Sequence, residues 1–169
     1  MINFRIYSFK SYLVIEGFKG RLIFSLKDKI LDCFLILGKN NLFIVDYTKK
    51  GLEEKLASSV KNSVKGVCYS FSKKLNLVGI GFRCWTLFEN NRKFLLVKTS
   101  LSKDCILYVP KEIDVLCFNS TTIFVRGIRE LDVNLFVLLI KRIKKPNFYK
   151  QKGIFLENEV VKVKVGKKM

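Results

Sequence analysis

A chain of 169 residues that is 49% apolar has the material for one ordinary domain or two small ones, and its composition excludes disorder. Its 32 Lys and Arg against 14 Asp and Glu leave a formal charge of +18, so a polyanionic partner is expected: RNA, DNA or, on charge alone, an anionic membrane surface. The absence of histidine removes Ser-His and Cys-His nucleophile pairs, the usual acid-base group near neutral pH, and any mixed Cys-His zinc site.

The first part of the chain reads as β: alternating or continuous apolar runs predict strands near residues 2–7, 11–16, 21–26, 31–37 and 42–46. Glu16-Gly17-Phe18-Lys19-Gly20 and Gly38-Lys39-Asn40-Asn41 supply the turns. After Thr48 the period changes. Leu52, Leu56, Val60, Val64, Val67, Phe71 and Leu75 recur every three or four residues and predict one long amphipathic helix. Glu53 and Glu54 suit the positive end of its dipole, Lys73 and Lys74 the negative end. Gly66 within it costs about 1 kcal/mol against alanine, which a close backbone contact would explain.

Strand patterns return at 77–88 and, through an Asn90-Asn91 turn, at 94–98, then near 104–109, 113–118 and 121–126. A second helix is expected over 129–143. Its centre, residues 135–140, is apolar nearly all round and is expected to be covered on most sides, with Pro146 marking its limit. The tail then extends: Val160, Val161, Val163 and Val165 partly alternate with Lys162 and Lys164 before Gly166-Lys167-Lys168. Strands followed by a helix, twice over, predict an α+β fold of two tandem similar small domains. Each is an antiparallel-rich sheet packed with a helix, over 1–77 and 78–169, and the second carries a basic C-terminal extension. A faint internal echo supports the pairing, since Phe9 to Gly17 and Phe118 to Gly127 both read as turn, strand, glycine.

The functional signal is the cation-rich run that follows the second helix. Lys141, Arg142, Lys144, Lys145, Lys150 and Lys152 can neutralise phosphates, and Phe148 and Tyr149 can stack or wedge; Gly153 permits close backbone approach. Pro146 sits among them, and Lys162, Lys164, Lys167 and Lys168 continue the charge. The plainer reading, cations complementing a helix end, fits Lys141 and Arg142 alone.

No catalytic constellation accompanies this run. Gly79-Ile80-Gly81 lacks the third glycine of a dinucleotide loop and enters a strand instead of leaving one, so it reads as a tight junction. Cys33, Cys68, Cys84, Cys105 and Cys117 show no CxxC spacing and read as reduced, packed thiols. Glu53-Glu54 and Glu157-Asn158-Glu159 read as solvated charge, and no metal or cofactor is expected. The apolar runs at 30–37 and 133–140 are too short to span a membrane. Neither a secretory nor a transit pattern opens the chain. Ala57 is the only alanine among many Phe, Ile, Lys and Asn, the residue usage of an A+T-biased coding sequence; with no visible address, this suggests synthesis inside an organelle.

Ser63-Val64-Lys65-Gly66-Val67 followed by Leu75-Asn76-Leu77-Val78-Gly79-Ile80-Gly81-Phe82-Arg83 resembles the central motif of the large-subunit ribosomal protein L-six family, MVxGV…LxLVGVGYR. Pro146-Asn147-Phe148-Tyr149-Lys150-Gln151-Lys152-Gly153-Ile154 is similar to its PEPYKGKGI, Gly166-Lys167-Lys168 to its closing glycine-lysine-lysine, and the segment from Val14 to Leu22 to its VxGPxGxL hairpin. Phe148 replaces a proline, Gln151 replaces a glycine, and the family's SHP stretch has no counterpart at Ser100-Leu101-Ser102-Lys103-Asp104. The resemblance implies a non-enzymatic two-domain ribosomal protein without a small-molecule substrate. Its second domain and tail would bind large-subunit ribosomal RNA near the sarcin–ricin loop, beside neighbouring ribosomal proteins and, transiently, elongation factors. Pro146, Tyr149, Lys150, Lys152, Gly153, Lys167 and Lys168 are the matching positions. The drift from the family's motifs, with the composition, suggests a mitochondrial ribosome, with a plastid-type one as the alternative. A free-standing RNA chaperone or regulator is the competing class.

Overall fold

The computed structural model describes residues 4–9, 12–25, 33–37, 42–46, 52–164 and 166. The expected turn at 38–41 and the terminal Lys167 and Lys168 lie outside them. The chain divides into two compact units, Met1–Ser70 and Phe71–Met169.

In the first unit, β1 (Arg5–Phe9), β2 (Tyr12–Gly17) and β3 (Gly20–Ser25) form an antiparallel meander with β2 in the centre. Ile15 opposes Leu22 and Leu13 opposes Phe24 across β2 and β3, and Leu13, Ile15 and Leu22 are buried. A second antiparallel pair, β4 (Cys33–Leu37) and β5 (Leu42–Asp46), precedes the helix α1 (Leu52–Tyr69), which lies against β2, β3 and β5. The helix stops earlier than its periodicity suggests. Ser70 takes a left-handed φ of 59° while its N–H still reaches the carbonyl of Gly66 at 2.8 Å, and Phe71–Val78 becomes β6. Phe71 and Leu75 lie four positions apart, a spacing common to a helix face and to one face of a strand. Pairing decides between them, because β6 gains ladder partners on both edges, β11 and β12.

The second unit holds two sheets. Strand β6 leaves through the turn at Gly79-Ile80-Gly81, where Gly81 has a φ of 77°; the expected continuous strand over 77–88 is therefore broken. Beyond the turn, β7 (Arg83–Glu89), β8 (Arg92–Lys98) and β9 (Cys105–Val109) form a three-stranded antiparallel sheet. Then β10 (Ile113–Asn119), β11 (Thr122–Gly127), β6 and a short last strand, β12 (Gly153–Leu156), make a four-stranded sheet in the order β10-β11-β6-β12. Between β11 and β12 in the chain runs α2 (Glu130–Ile143), which lies on β11, β6 and β12 and buries Val133, Phe136, Val137 and Ile140. These meet Leu75, Leu77, Ile123, Val125 and Ile154 in one continuous core.

The internal echo has a packing basis. Gly17 ends β2 and Gly127 ends β11. A Cβ on Gly17 would stand 2.7 Å from Val67 Cγ1 of α1, and one on Gly127 would stand 2.7 Å from Val133 Cγ2 of α2. In each unit a strand closes on a glycine because a helix valine occupies the space.

The second helix departs from expectation. Among the described residues one face of it is buried and the other is open: Leu131, Leu135 and Leu138 are 75%, 61% and 54% exposed. Among the described residues no helix is long and apolar enough to cross a membrane. The contrast within one helix sets a test. Ile140→Ala, at a fully buried position, should lower stability by about 2–5 kcal/mol in denaturant titration. Leu135→Ala on the outer face should stay within about 0.5 kcal/mol.

Candidate nucleic-acid interface

The basic run was expected to leave α2 as an extended tail. Instead it forms a closed loop between α2 and β12. Lys144 ends the helix in an extended conformation, and its carbonyl accepts the N–H of Ile154 at 3.2 Å. The Asn147 N–H donates to the Lys152 carbonyl at 2.9 Å, and the Gln151 N–H donates to the Asn147 carbonyl at 3.1 Å. The Asn147 side chain sets the tip, its Oδ1 accepting the N–H of Tyr149 at 2.8 Å and of Lys150 at 3.3 Å. An asparagine is suited to this because its short amide can bond backbone groups two and three residues on. Gln151, where the resembling motif has glycine, takes a left-handed φ of 50° to complete the turn.

Gly153 closes the base. It is buried, its φ is 148°, and a Cβ there would stand 2.7 Å from Pro146 Cα and 2.9 Å from the Lys145 carbonyl oxygen. Its close backbone approach is thus to this chain's own Pro146. Pro146 is half-buried, packed in the same place.

The candidate cations separate into groups. Lys150 and Lys152 are exposed at and beside the tip, together with Phe148 and Tyr149. The Lys164 N–H donates to the Phe148 carbonyl at 3.1 Å, which brings exposed Lys162 and Lys164 alongside the loop. Lys144 is half-buried and Lys145 exposed at the loop's base. Arg142 lies on the outer face of α2. Lys141 turns inward: its Nζ donates to Glu159 Oε2 at 2.6 Å, and the same oxygen accepts the Leu156 N–H at 3.1 Å. Of the carboxylates read as solvated, Glu159 is thus tied to the helix, and Glu157 pairs with Lys74 at 2.6 Å; the side chains of Glu53 and Glu54 lie outside the described residues.

What sequence reasoning missed is the clamp and the strand. The run Ile154-Phe155-Leu156 directly after a glycine was a strand signal, overlooked inside a segment read by its charge. Asn147 carried no visible mark beyond its general turn preference.

Among the described residues no group of three or more His, Cys, Asp or Glu could hold a metal ion. Cys68 and Cys84 are buried and Cys105 and Cys117 partly so, all as free thiols. The Cys84 thiol donates to the Asn119 carbonyl at 3.6 Å; the neighbouring Cys117 and burial push its pKa well above the ordinary thiol value.

Two tests concern the loop's closure. Gly153→Ala forces backbone atoms apart and should free β12, seen as at least tenfold faster hydrogen exchange at the Ile154 amide, a loss of about 1.4 kcal/mol of local protection. The Glu159 carboxyl is held below its ordinary value of 4.5, chiefly by the Lys141 hydrogen bond, against burial, which raises it. Its folded value is the lower one, so its contribution to stability is complete above 4.5 and drains away as pH falls below it. Glu159→Gln should flatten that part of the acid stability profile.

Known proteins locate the chain. It is 34% identical over 160 residues to the large ribosomal subunit protein uL6 of Borreliella burgdorferi, covering 92% of this chain and 84% of that one. It is 33% identical over 162 residues to uL6 of Alkaliphilus oremlandii, covering 94% and 87%. It is 30% identical over 159 residues to uL6c of Guillardia theta, covering 92% and 85%. No family model matches. Identity of this extent, on a two-unit α+β fold with the expected helices, makes the chain a member of the large ribosomal subunit protein uL6 family, which consists of structural proteins and not of enzymes.

Proposed function

We propose that the chain is a structural constituent of the large subunit of an organellar, mitochondrial ribosome. In this role it holds large-subunit ribosomal RNA with the closed loop of residues 144–153 and residues 162–164 beside it. The observation that carries the reading is the loop itself. Tyr149, Lys150 and Lys152 project from a turn tied at its base by backbone hydrogen bonds, and Lys162 and Lys164 are tethered beside it. Phosphates would be met by the lysines and an unstacked base or sugar by Tyr149, so charge supplies affinity and RNA shape supplies specificity. Lys167 and Lys168 would extend the same contact. The family resemblance supports placement near the sarcin–ricin loop, with elongation factors as passing neighbours. The residue usage and the drift from the family's motifs support the mitochondrial location over a plastid-type one.

Removing one phosphate contact lowers the slope of log affinity against log salt by about 0.7 to 0.9. Lys150→Ala and Lys152→Ala together should therefore reduce the slope by roughly 1.4 to 1.8 and release the protein from the subunit at lower salt. Lys141→Met, at a position spent on Glu159, should leave the slope unchanged. Gradient sedimentation of salt-washed particles reads both. An unaltered slope in the double variant would remove the loop from the interface. Recovery of the chain away from every ribosomal particle would make it a free-standing RNA-binding module, and recovery on plastid or cytosolic ribosomes would overturn the mitochondrial assignment.

A further inference from the structure

The outer face of α2 carries Leu131, Leu135 and Leu138 at i, i+4 and i+7, with Leu139 flanking them at 47% exposure and Arg142 one turn beyond. At 1.5 Å per residue this stripe runs for about 16 Å. It continues into an open groove of ≈ 400 Å³ between the end of the helix and the returning chain, floored by Leu138, Phe148 and Val161 and rimmed by Arg142 and Lys145. A contiguous leucine surface of this kind marks an interaction site.

We propose that this face docks an amphipathic helix of a neighbouring protein, lying antiparallel to α2. The partner's apolar stripe would rest on the leucines, and carboxylates of its first turn would meet Arg142 and Lys145. Three observations select that occupant. An RNA strand is disfavoured because the leucines offer no donor to a phosphate and would strip its hydration. A second copy is disfavoured because each chain carries +18. The direction follows from charge: Glu130 and Asp132 stand in the first turn of α2 and the exposed Arg142 in the last, Lys141 being paired with Glu159. An antiparallel helix with the usual acidic first turn and basic last turn matches both ends and opposes the two dipoles. Spaced anchors received by an apolar groove are a common mode of helix recognition.

This removes Arg142 from the RNA contacts and gives it a protein partner. The groove shares Lys145 and Phe148 with the loop, whereas the leucine stripe lies apart from Tyr149, Lys150 and Lys152, on which the RNA reading rests. A photo-reactive benzophenone amino acid in place of Leu135, in the full chain within its native particle, tests it. Crosslinked peptides are identified by mass spectrometry. The expected product is a protein segment with leucine-like spacing and Asp or Glu in its first turn. Arg142→Glu should lower the crosslink yield roughly tenfold, and Arg142→Lys should retain most of it. Leu138→Gln should also lose the crosslink while circular dichroism stays unchanged. Crosslinking to RNA, to a second copy of the chain or to nothing overturns the proposal, as does a yield indifferent to Arg142→Glu. A protein crosslink formed away from ribosomal particles would support this surface while defeating the ribosomal assignment, so the two readings fail separately.

Discussion

The pairing of β12 with β6 is the constraint on which the C-terminal architecture depends. Strand β6 lies between β11 and β12, and the last strand closes its second edge through the register Gly153 to Val78 and Leu156 to Leu75. Without it, one row of β6 backbone groups would need other partners, and the chain after α2 would have no fixed return path. The pairing is reinforced from outside the ladder. Glu157 reaches Lys74 and Glu159 reaches Lys141, so two carboxylates in a strongly basic region bind the returning chain to the sheet and to the helix. Lys141 and Glu159 are both largely shielded, which makes this pair the stronger of the two, whereas the Lys74 pair is more exposed and screened.

That arrangement divides the labour among the cations. A polycationic run could present all its charge to solvent, yet here Lys141 is used internally and Arg142 is placed on an apolar face. The loop tip and the tethered segment beside it keep their lysines outward. Which cations face outward is thus set by backbone geometry more than by charge density. Gly153 and Pro146, which a sequence reading treats as part of an RNA-facing motif, serve to hold the loop's two ends together.

Much of this was legible in the sequence, for physical reasons. Strands β10 and β11, expected near 113–118 and 121–126, announce themselves by period to within a residue, and α2, expected over 129–143, by its apolar centre and the limit at Pro146. The boundary at Ser70 was not, because Phe71 and Leu75 satisfy both periodicities and only the neighbours of β6 choose between them. The exposure of Leu131, Leu135 and Leu138 was hidden for a related reason: composition shows that a helix is apolar all round but not which side lacks a partner within the chain. The clamp of Glu159 on Lys141 joins residues eighteen apart with no periodic relation, so nothing local encodes it.

The Asn147 turn has a consequence for assembly. Because its own amide and backbone shape the tip, the loop's conformational freedom is surrendered during folding of the protein and not at the moment of encounter. On the proposed RNA contact such a loop would arrive already shaped, and the rearrangement on docking would fall to the more pliant polymer.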